Sequence, residues 1–198
     1  MTTQNHEYKV LARKYRPQDF SSLIGQDHVV KTLSNEFSSD KIPHAFIFTG
    51  IRGTGKTSLA RIIAKALNCI GSDGNNTKPT IKPCLSCSVC TDTAKGIHPD
   101  VIEMDAASKT GVDDIREIIE NCTYTPSSAR NKIYIIDEVH MLSNNAFNAL
   151  LKTLEEPPSH TKFIFATTEI EKIPLTILSR CQRFDLHKIS VELLSDFL

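Results

Sequence analysis

Ala45-Phe46-Ile47-Phe48-Thr49 runs directly into Gly50-Ile51-Arg52-Gly53-Thr54-Gly55-Lys56-Thr57. The opening AFIFT stretch is almost continuously apolar, as expected of a parallel strand buried on both faces. The stretch from Gly50 to Thr57 matches G-x-x-x-x-G-K-[ST] in full. Leu59, Ile62, Ile63, Ala66 and Leu67 then recur at helical spacing, so residues 56–67 read as a helix. Glycines at these positions let the backbone wrap so that its N–H groups point at phosphate oxygens, and the helix N-terminus adds a favourable dipole. Lys56 is placed to reach the β- and γ-phosphates of a nucleotide, and the Thr57 hydroxyl to coordinate Mg²⁺.

Outward from this loop, strands and helices alternate. Val101–Asp105, 133–136, 163–167 and 184–187 read as further strands. Val112, Ile115, Ile118, Ile119 and Cys122 mark one helical face, and Ala146, Phe147, Leu150, Leu151 and Leu154 another that Pro157 and Pro158 terminate. Repeated alternation implies an α/β domain with a parallel sheet covered on both faces. The strand Ile133-Tyr134-Ile135-Ile136 ends in Asp137-Glu138, the acidic partner a phosphate loop needs. Asp137 is expected to hold Mg²⁺, and Glu138 to polarise the attacking water as general base. Val139 and His140 extend the pair to a D-E-x-H box, also seen in one helicase superfamily, but His140 reads as a structural residue at a turn.

The chain has 198 residues, of which 23 are Lys or Arg and 23 Asp or Glu, so its formal net charge is zero with histidine neutral. That length suits one domain, or one domain with a small appendage, and 40% hydrophobic against 23% charged residues is ordinary globular composition. No apolar run reaches the roughly 18–20 residues of a membrane-spanning helix, and the start MTTQNHEYKV lacks the apolar stretch of a signal peptide. A cytoplasmic protein without a membrane partner is expected. Neutrality gives no argument of its own for nucleic acid.

Six cysteines are present, and Cys69-x14-Cys84-x2-Cys87-x2-Cys90 has metal-ligand spacing. Four thiolates suit a closed tetrahedral Zn²⁺ site; an iron–sulfur cluster is the competing use. The metal is expected to pin the polar segment 71–83, a loop rich in turn formers, back onto the helix before it. His98 reads as a loop residue, and Cys122 and Cys181 as small hydrophobes. Ser190 can cap a helix through Val191, Leu194 and Leu198, which has no C-terminal stop signal and reads as cut short.

Together these motifs resemble the gamma/tau subunits of bacterial DNA polymerase III, the AAA+ ATPases of the sliding-clamp loader. The resemblance rests on Ala12-Arg13-Lys14-Tyr15-Arg16-Pro17 with Ile24-Gly25-Gln26, the phosphate loop and the cysteine insert. It continues through Asp105-Ala106-Ala107-Ser108, Asp137-Glu138, Leu150-Leu151-Lys152-Thr153-Leu154-Glu155-Glu156-Pro157-Pro158 and Ser179-Arg180-Cys181. It implies a P-loop AAA+ three-layer sandwich with five parallel strands in the order 5-1-4-3-2 and an inserted four-cysteine zinc module. Residues 1–187 would be the base domain, with 69–90 the insertion, and 188–198 the start of a truncated helical lid.

The resemblance also implies roles. Tyr15, Arg16, Pro17, Ile24 and Gly25 pack the adenine of ATP, and Thr168 is the polar sensor that orients the lytic water. Arg180 reaches the ATP site of an adjacent subunit, so hydrolysis needs an oligomer. Ser108, Lys109, Thr110 and Gly111, and Ser143, Asn144 and Asn145, precede helices that could track duplex phosphates, or simply cap those helices. The implied partners are other clamp-loader subunits in a hetero-oligomeric ring, the sliding clamp and primer-template DNA, bound weakly by a monomer. No polymerising site is expected on the chain. An ATP-binding scaffold without hydrolysis and a DExH-type helicase are the alternatives.

Overall fold

Each apolar run is a strand of one sheet in the computed structural model, which describes residues 15–39, 41–109 and 111–197. The strands are β1 (Ala45–Thr49), β2 (Val101–Asp105), β3 (Lys132–Asp137), β4 (Thr161–Thr167) and β5 (Gln182–Asp185). All pairings are parallel, in the spatial order β2-β3-β4-β1-β5. From the other edge this is the 5-1-4-3-2 order that the resemblance implies. The helices are α1 (Asp27–Ser39), α2 (Lys56–Asn68), α3 (Ser88–Lys95), α4 (Val112–Cys122), α5 (Asn144–Glu155), α6 (Leu175–Leu178) and α7 (Val191–Phe197). None is long and apolar enough to cross a membrane, among the described residues.

Alternation along the strands builds two cores. Phe46 and Phe48 of β1 point to one side, where they meet Leu59, Ile63 and Leu67 of α2 and Val29 and Leu33 of α1. Ala45 and Ile47 point to the other, against a core that includes Ile115 of α4 and Phe147 and Leu150 of α5. Side chains alternate between faces along a strand, so a strand with every residue buried needs helices on both sides, and three layers result. The register aligns the strand ends: Thr49 pairs with Thr167, and Asp105 with Asp137. The loops that carry chemistry therefore leave one edge of the sheet.

Two sequence expectations shift. The last strand lies at Gln182–Asp185, two residues before 184–187, because its pairing follows Phe46–Thr49 of β1. Only Phe184 of that edge strand is buried, so its apolar signal was too short to mark its start. His187 instead leaves the sheet and is held by Gln26, whose Nε2 donates to the His187 carbonyl at 2.7 Å. Helices α1 and α3 were not anticipated, although Val29, Leu33 and Phe37 are the buried positions of α1 at i, i+4, i+8 spacing.

The turn into β3 is organised by Asp100, which is 1% exposed. Its Oδ1 accepts from the Ser127 N–H at 2.8 Å and the Ser127 hydroxyl at 3.1 Å. Its Oδ2 accepts from the Ser128 N–H at 2.8 Å, the Ser128 hydroxyl at 3.1 Å and the Ala129 N–H at 2.9 Å. Burial pulls this carboxyl up, but the N–H groups of Ser127, Ser128 and Ala129 outweigh it and hold it below the ordinary range. A depressed folded value stabilises the fold above the unfolded pKa of about 3.9, and that contribution is lost as pH falls through the folded value. Asp100→Asn turns one acceptor into a donor facing N–H groups. It should cost roughly 3 kcal/mol at neutral pH and flatten the acid limb of stability against pH, as measured by urea melts between pH 7 and pH 3.

Candidate nucleotide site and cysteine centre

The loop after β1 turns on glycines. Gly50 has φ 151° and lies so close to the next segment that a Cβ would stand 2.6 Å from the Leu186 carbonyl oxygen. Gly55, at φ 95°, is the left-handed residue from which α2 starts. Lys56 opens that helix and is 6% exposed. Its ammonium folds back over the loop, donating to the Gly50 carbonyl at 2.8 Å and the Ile51 carbonyl at 3.2 Å. Burial holds its pKa below the ordinary lysine range, against the attraction of Glu138 and Asp137.

The Thr57 hydroxyl donates to Asp137 Oδ2 at 2.6 Å, joining the loop to the end of β3. A hydroxyl beside a carboxylate is an all-oxygen donor set of the kind Mg²⁺ takes. Glu138 has φ 47°, a left-handed conformation that costs a non-glycine residue on the order of 1–3 kcal/mol and that clusters at functional sites. Its Oε2 accepts from the Thr168 N–H at 3.3 Å and the Thr168 hydroxyl at 3.1 Å. The acid and the polar residue from the end of β4 therefore meet.

These groups line a cleft of about 1200 Å³ whose other wall includes Tyr15, Arg16, Pro17 and Ile24. Ile51, Arg52, Gly53 and Thr54 contribute the loop side. Gly25 sits behind the wall, where a Cβ would meet Leu193 Cδ2 at 3.3 Å. Ala12, Arg13 and Lys14 lie outside the described residues.

Arg180 does not line this cleft. It lies in a shallow pocket with His44, Glu155 and Ser179. There its guanidinium pairs with Glu155 and donates to the Thr176 carbonyl at 2.6 Å, with 30% of the side chain exposed. Of the helix starts, Ser143 caps α5 by accepting from the Ala146 N–H at 3.3 Å. The Ser108 hydroxyl turns back to the Asp105 carbonyl at 2.9 Å, and Gly111 is the N-cap of α4. Lys109 lies before that cap, Asn144 and Asn145 open α5 on its exposed side, and Thr110 is outside the described residues.

Cys69 ends α2, Cys84 lies in the loop, Cys87 caps α3 and Cys90 lies within it. Their sulfurs all lie within 4.8 Å of one another. A tetrahedral Zn²⁺ with bonds of about 2.3 Å needs sulfurs about 3.8 Å apart, so the cluster fits such an ion. The Cys69 sulfur accepts from the Cys84 N–H at 3.2 Å and the Gly71 N–H at 3.4 Å, and the Cys84 sulfur from the Cys87 N–H at 3.3 Å. Burial raises the Cys84 thiol, but N–H donors from Cys87 and Ser86 outweigh it and bring it down to about 6. Cys90 is pushed up, by burial first and then by Cys87. Cys122 and Cys181 stand apart from the cluster. His98 is a loop residue whose Nδ1 accepts from the Asp100 N–H at 3.1 Å.

Arg130, from the turn that Asp100 organises, closes this region, and sequence reasoning missed it. It donates to the carbonyls of Leu67 at 2.8 Å, Cys69 at 2.9 Å and Asn76 at 2.9 Å. These include carbonyls that the end of α2 leaves without helical partners. The long spacer is thereby laid along the helix, with the Thr80 N–H reaching the Ala66 carbonyl at 2.9 Å. No local pattern marks Arg130, since its partners are some 60 positions distant.

The family model described as "DNA polymerase III, delta subunit" matches residues 25–190. Among relatives, DNA polymerase III subunit gamma of Buchnera aphidicola is 57% identical over 96% of this chain, which spans 51% of that relative. DNA polymerase III subunit tau of Bacillus subtilis is 55% identical over 92% of this chain and 31% of its own length. In solved structures the fold recurs in the RuvB Holliday junction branch migration motor of Thermotoga maritima. That chain has TM-score 0.62 and 20% identity, over 92% of this chain and 52% of that one. It also recurs in a DNA polymerase III gamma-subunit-related protein of the same organism, with TM-score 0.54 and 22% identity, over 82% and 47%. At such identities the structures speak to fold alone.

The metal reading has a direct check. Elemental analysis of the purified protein should find about one zinc per chain, and Cys87→Ser should abolish it and lower the Tm by several degrees. Iron in place of zinc would select the cluster alternative.

Proposed function

The chain belongs to the DNA polymerase III subunit family matched over residues 25–190, with gamma and tau members as its relatives, and from that premise we propose that it is the ATP-hydrolysing part of a sliding-clamp loader. The single observation that carries the hydrolytic reading is the meeting at one sheet edge of Thr57 with Asp137 and of Glu138 with Thr168.

ATP enters the cleft with its adenine against Tyr15, Arg16, Pro17 and Ile24, with Gly25 shaping the turn behind them. Its phosphates lie on the N–H groups of Gly50 to Thr57. Lys56 exchanges the Gly50 and Ile51 carbonyls for β- and γ-phosphate oxygens, which restores a full charge partner to a buried ammonium. Thr57 and Asp137 would hold Mg²⁺, which when bound would neutralise charge on those oxygens. Glu138 accepts a proton from water as the water oxygen bonds the γ-phosphorus. The bond from that phosphorus to the β–γ bridging oxygen breaks, and its electron pair leaves with ADP. Thr168 keeps Glu138 and the water in line. The proton departs with the released phosphate.

Arg180 acts on the site of the neighbouring subunit, a reading supported by its place outside the cleft of its own chain. Nucleotide turnover then depends on assembly with other loader subunits in a ring, and drives opening and release of the sliding clamp on primer-template DNA. With zero net charge, affinity for DNA comes from helix N-termini and a few cations repeated around the ring, so the monomer binds it poorly. Zn²⁺ on Cys69, Cys84, Cys87 and Cys90 is structural, because four protein ligands leave no open position.

Complexes reconstituted from Glu138→Gln chains, and separately from Arg180→Ala chains, should each release phosphate at least 100-fold more slowly than wild type while still binding ATP. Unchanged turnover in either would overturn the role given to that residue. Unchanged turnover in both would sink the model in which Glu138 is the base and Arg180 the finger.

A further inference from the structure

His140 follows the acidic pair on the short turn Val139–Met141, and only 6% of its side chain is exposed. Its Nε2 lies 3.1 Å from Glu169 Oε1, and its Nδ1 lies 3.0 Å from the Thr167 hydroxyl and 3.4 Å from Glu138 Oε2. Thr167 is fully buried, and its hydroxyl also accepts from the Glu169 N–H at 3.0 Å. Glu169 is held from outside by Lys172 at 2.7 Å. A turn residue that only filled space would not need both ring nitrogens engaged.

Donor and acceptor rules order these contacts. An ionised Glu169 can only accept, so the ring proton sits on Nε2 and points at it. Nδ1 meets the Thr167 hydroxyl, whose oxygen also accepts from the Glu169 N–H. The ring thus bolts residues 167–169, which carry Thr168 between them, to the turn that follows Glu138. The Nδ1 edge also faces Glu138 Oε2 at 3.4 Å, the same oxygen that the Thr168 N–H and hydroxyl hold. A competing pull exists, since Glu138 and Lys56 attract each other across the cleft. A carboxylate that swung to the ammonium would be lost as a base and would occupy the lysine needed for phosphate.

We propose that His140 is a positioning residue for the hydrolytic step, tying the end of β3 to the end of β4 so that Glu138 stays on Thr168 and away from Lys56. The proposal rests on the hydrolytic reading above. His140 lines the same cleft, but its hydrogen bonds run to Thr167 and Glu169 at the strand ends, so its loss should act on turnover rather than on nucleotide binding.

The test uses the full-length protein in its assembled complex, with the variants His140→Phe, which keeps a ring without nitrogens, and His140→Asn, whose amide can regain the Thr167 contact. His140→Phe should lower kcat about tenfold to a hundredfold, the scale of a misplacement near 1 Å. The KM for ATP and the Kd of a fluorescent ATP analogue should stay within threefold, and the Tm within a few degrees. His140→Asn should recover at least threefold in kcat over His140→Phe. A kcat for His140→Phe within twofold of wild type overturns the proposal alone, leaving the hydrolytic reading intact. A parallel collapse of analogue binding and kcat also overturns it, by making the ring a general prop. Absence of turnover in the wild-type complex overturns the hydrolytic reading and this proposal with it.

Discussion

β1 has no exposed residue, and this constraint propagates through the molecule. A strand with Phe46 and Phe48 on one face and Ala45 and Ile47 on the other cannot lie at a solvated surface. Burying a side chain of phenylalanine size contributes about 1.5–3 kcal/mol, so leaving either face bare would forfeit much of a typical domain's net stability. Covering both faces demands helices on both sides, and parallel connections supply them. Parallel pairing in turn brings the ends of β1, β3 and β4 to one edge. The phosphate loop, the acidic pair and Thr168 are neighbours because β1 is buried.

Helix α2 carries that constraint to the cysteine centre. Its first turn holds Lys56 and Thr57, and its C-terminus holds Cys69. Lys65, 1% exposed near that end, reaches the side-chain oxygen of Gln18 at 3.0 Å, beside the wall formed by Arg16 and Pro17. Burial pulls the Lys65 ammonium below its ordinary range, opposed by the negative charge available at Cys90. Arg130, from the turn before β3, is likewise lowered by burial and favoured by Cys69 and Cys87. Four thiolates on one divalent ion would carry a net charge of about −2, and the buried Lys65 and half-buried Arg130 are placed to balance it. The same rigid helix thus links the metal centre, the N-terminal wall and the phosphate loop.

What was legible in the sequence was what local pattern encodes. The glycine-loop motif, the apolar runs and the C-x2-C spacing each act within a few residues, where backbone geometry leaves few choices. β5 was misplaced because an edge strand buries only alternate residues, and here just one. α3 was missed because its eight residues are shared between helix and the cysteine cluster, which blurs the apolar period. The partners of Asp100, Arg130 and Gln26 were invisible. They lie at least 27 positions away, and an isolated polar residue in sequence carries no sign of the N–H or carbonyl groups that will surround it.

By itself the sequence determined the phosphate loop, the acidic pair, the four clustered cysteines and the alternation that makes a covered parallel sheet. It did so because those features depend on residue type and spacing along a helix or strand. Only the tertiary structure decided that Glu138 rests on Thr168, that His140 joins the two strand ends and that Arg180 stands outside the cleft of its own chain. Those relations depend on the order and register in which strands pair. Register is settled by burial across the whole sheet, a sum of many long-range contacts that no short stretch of residues contains.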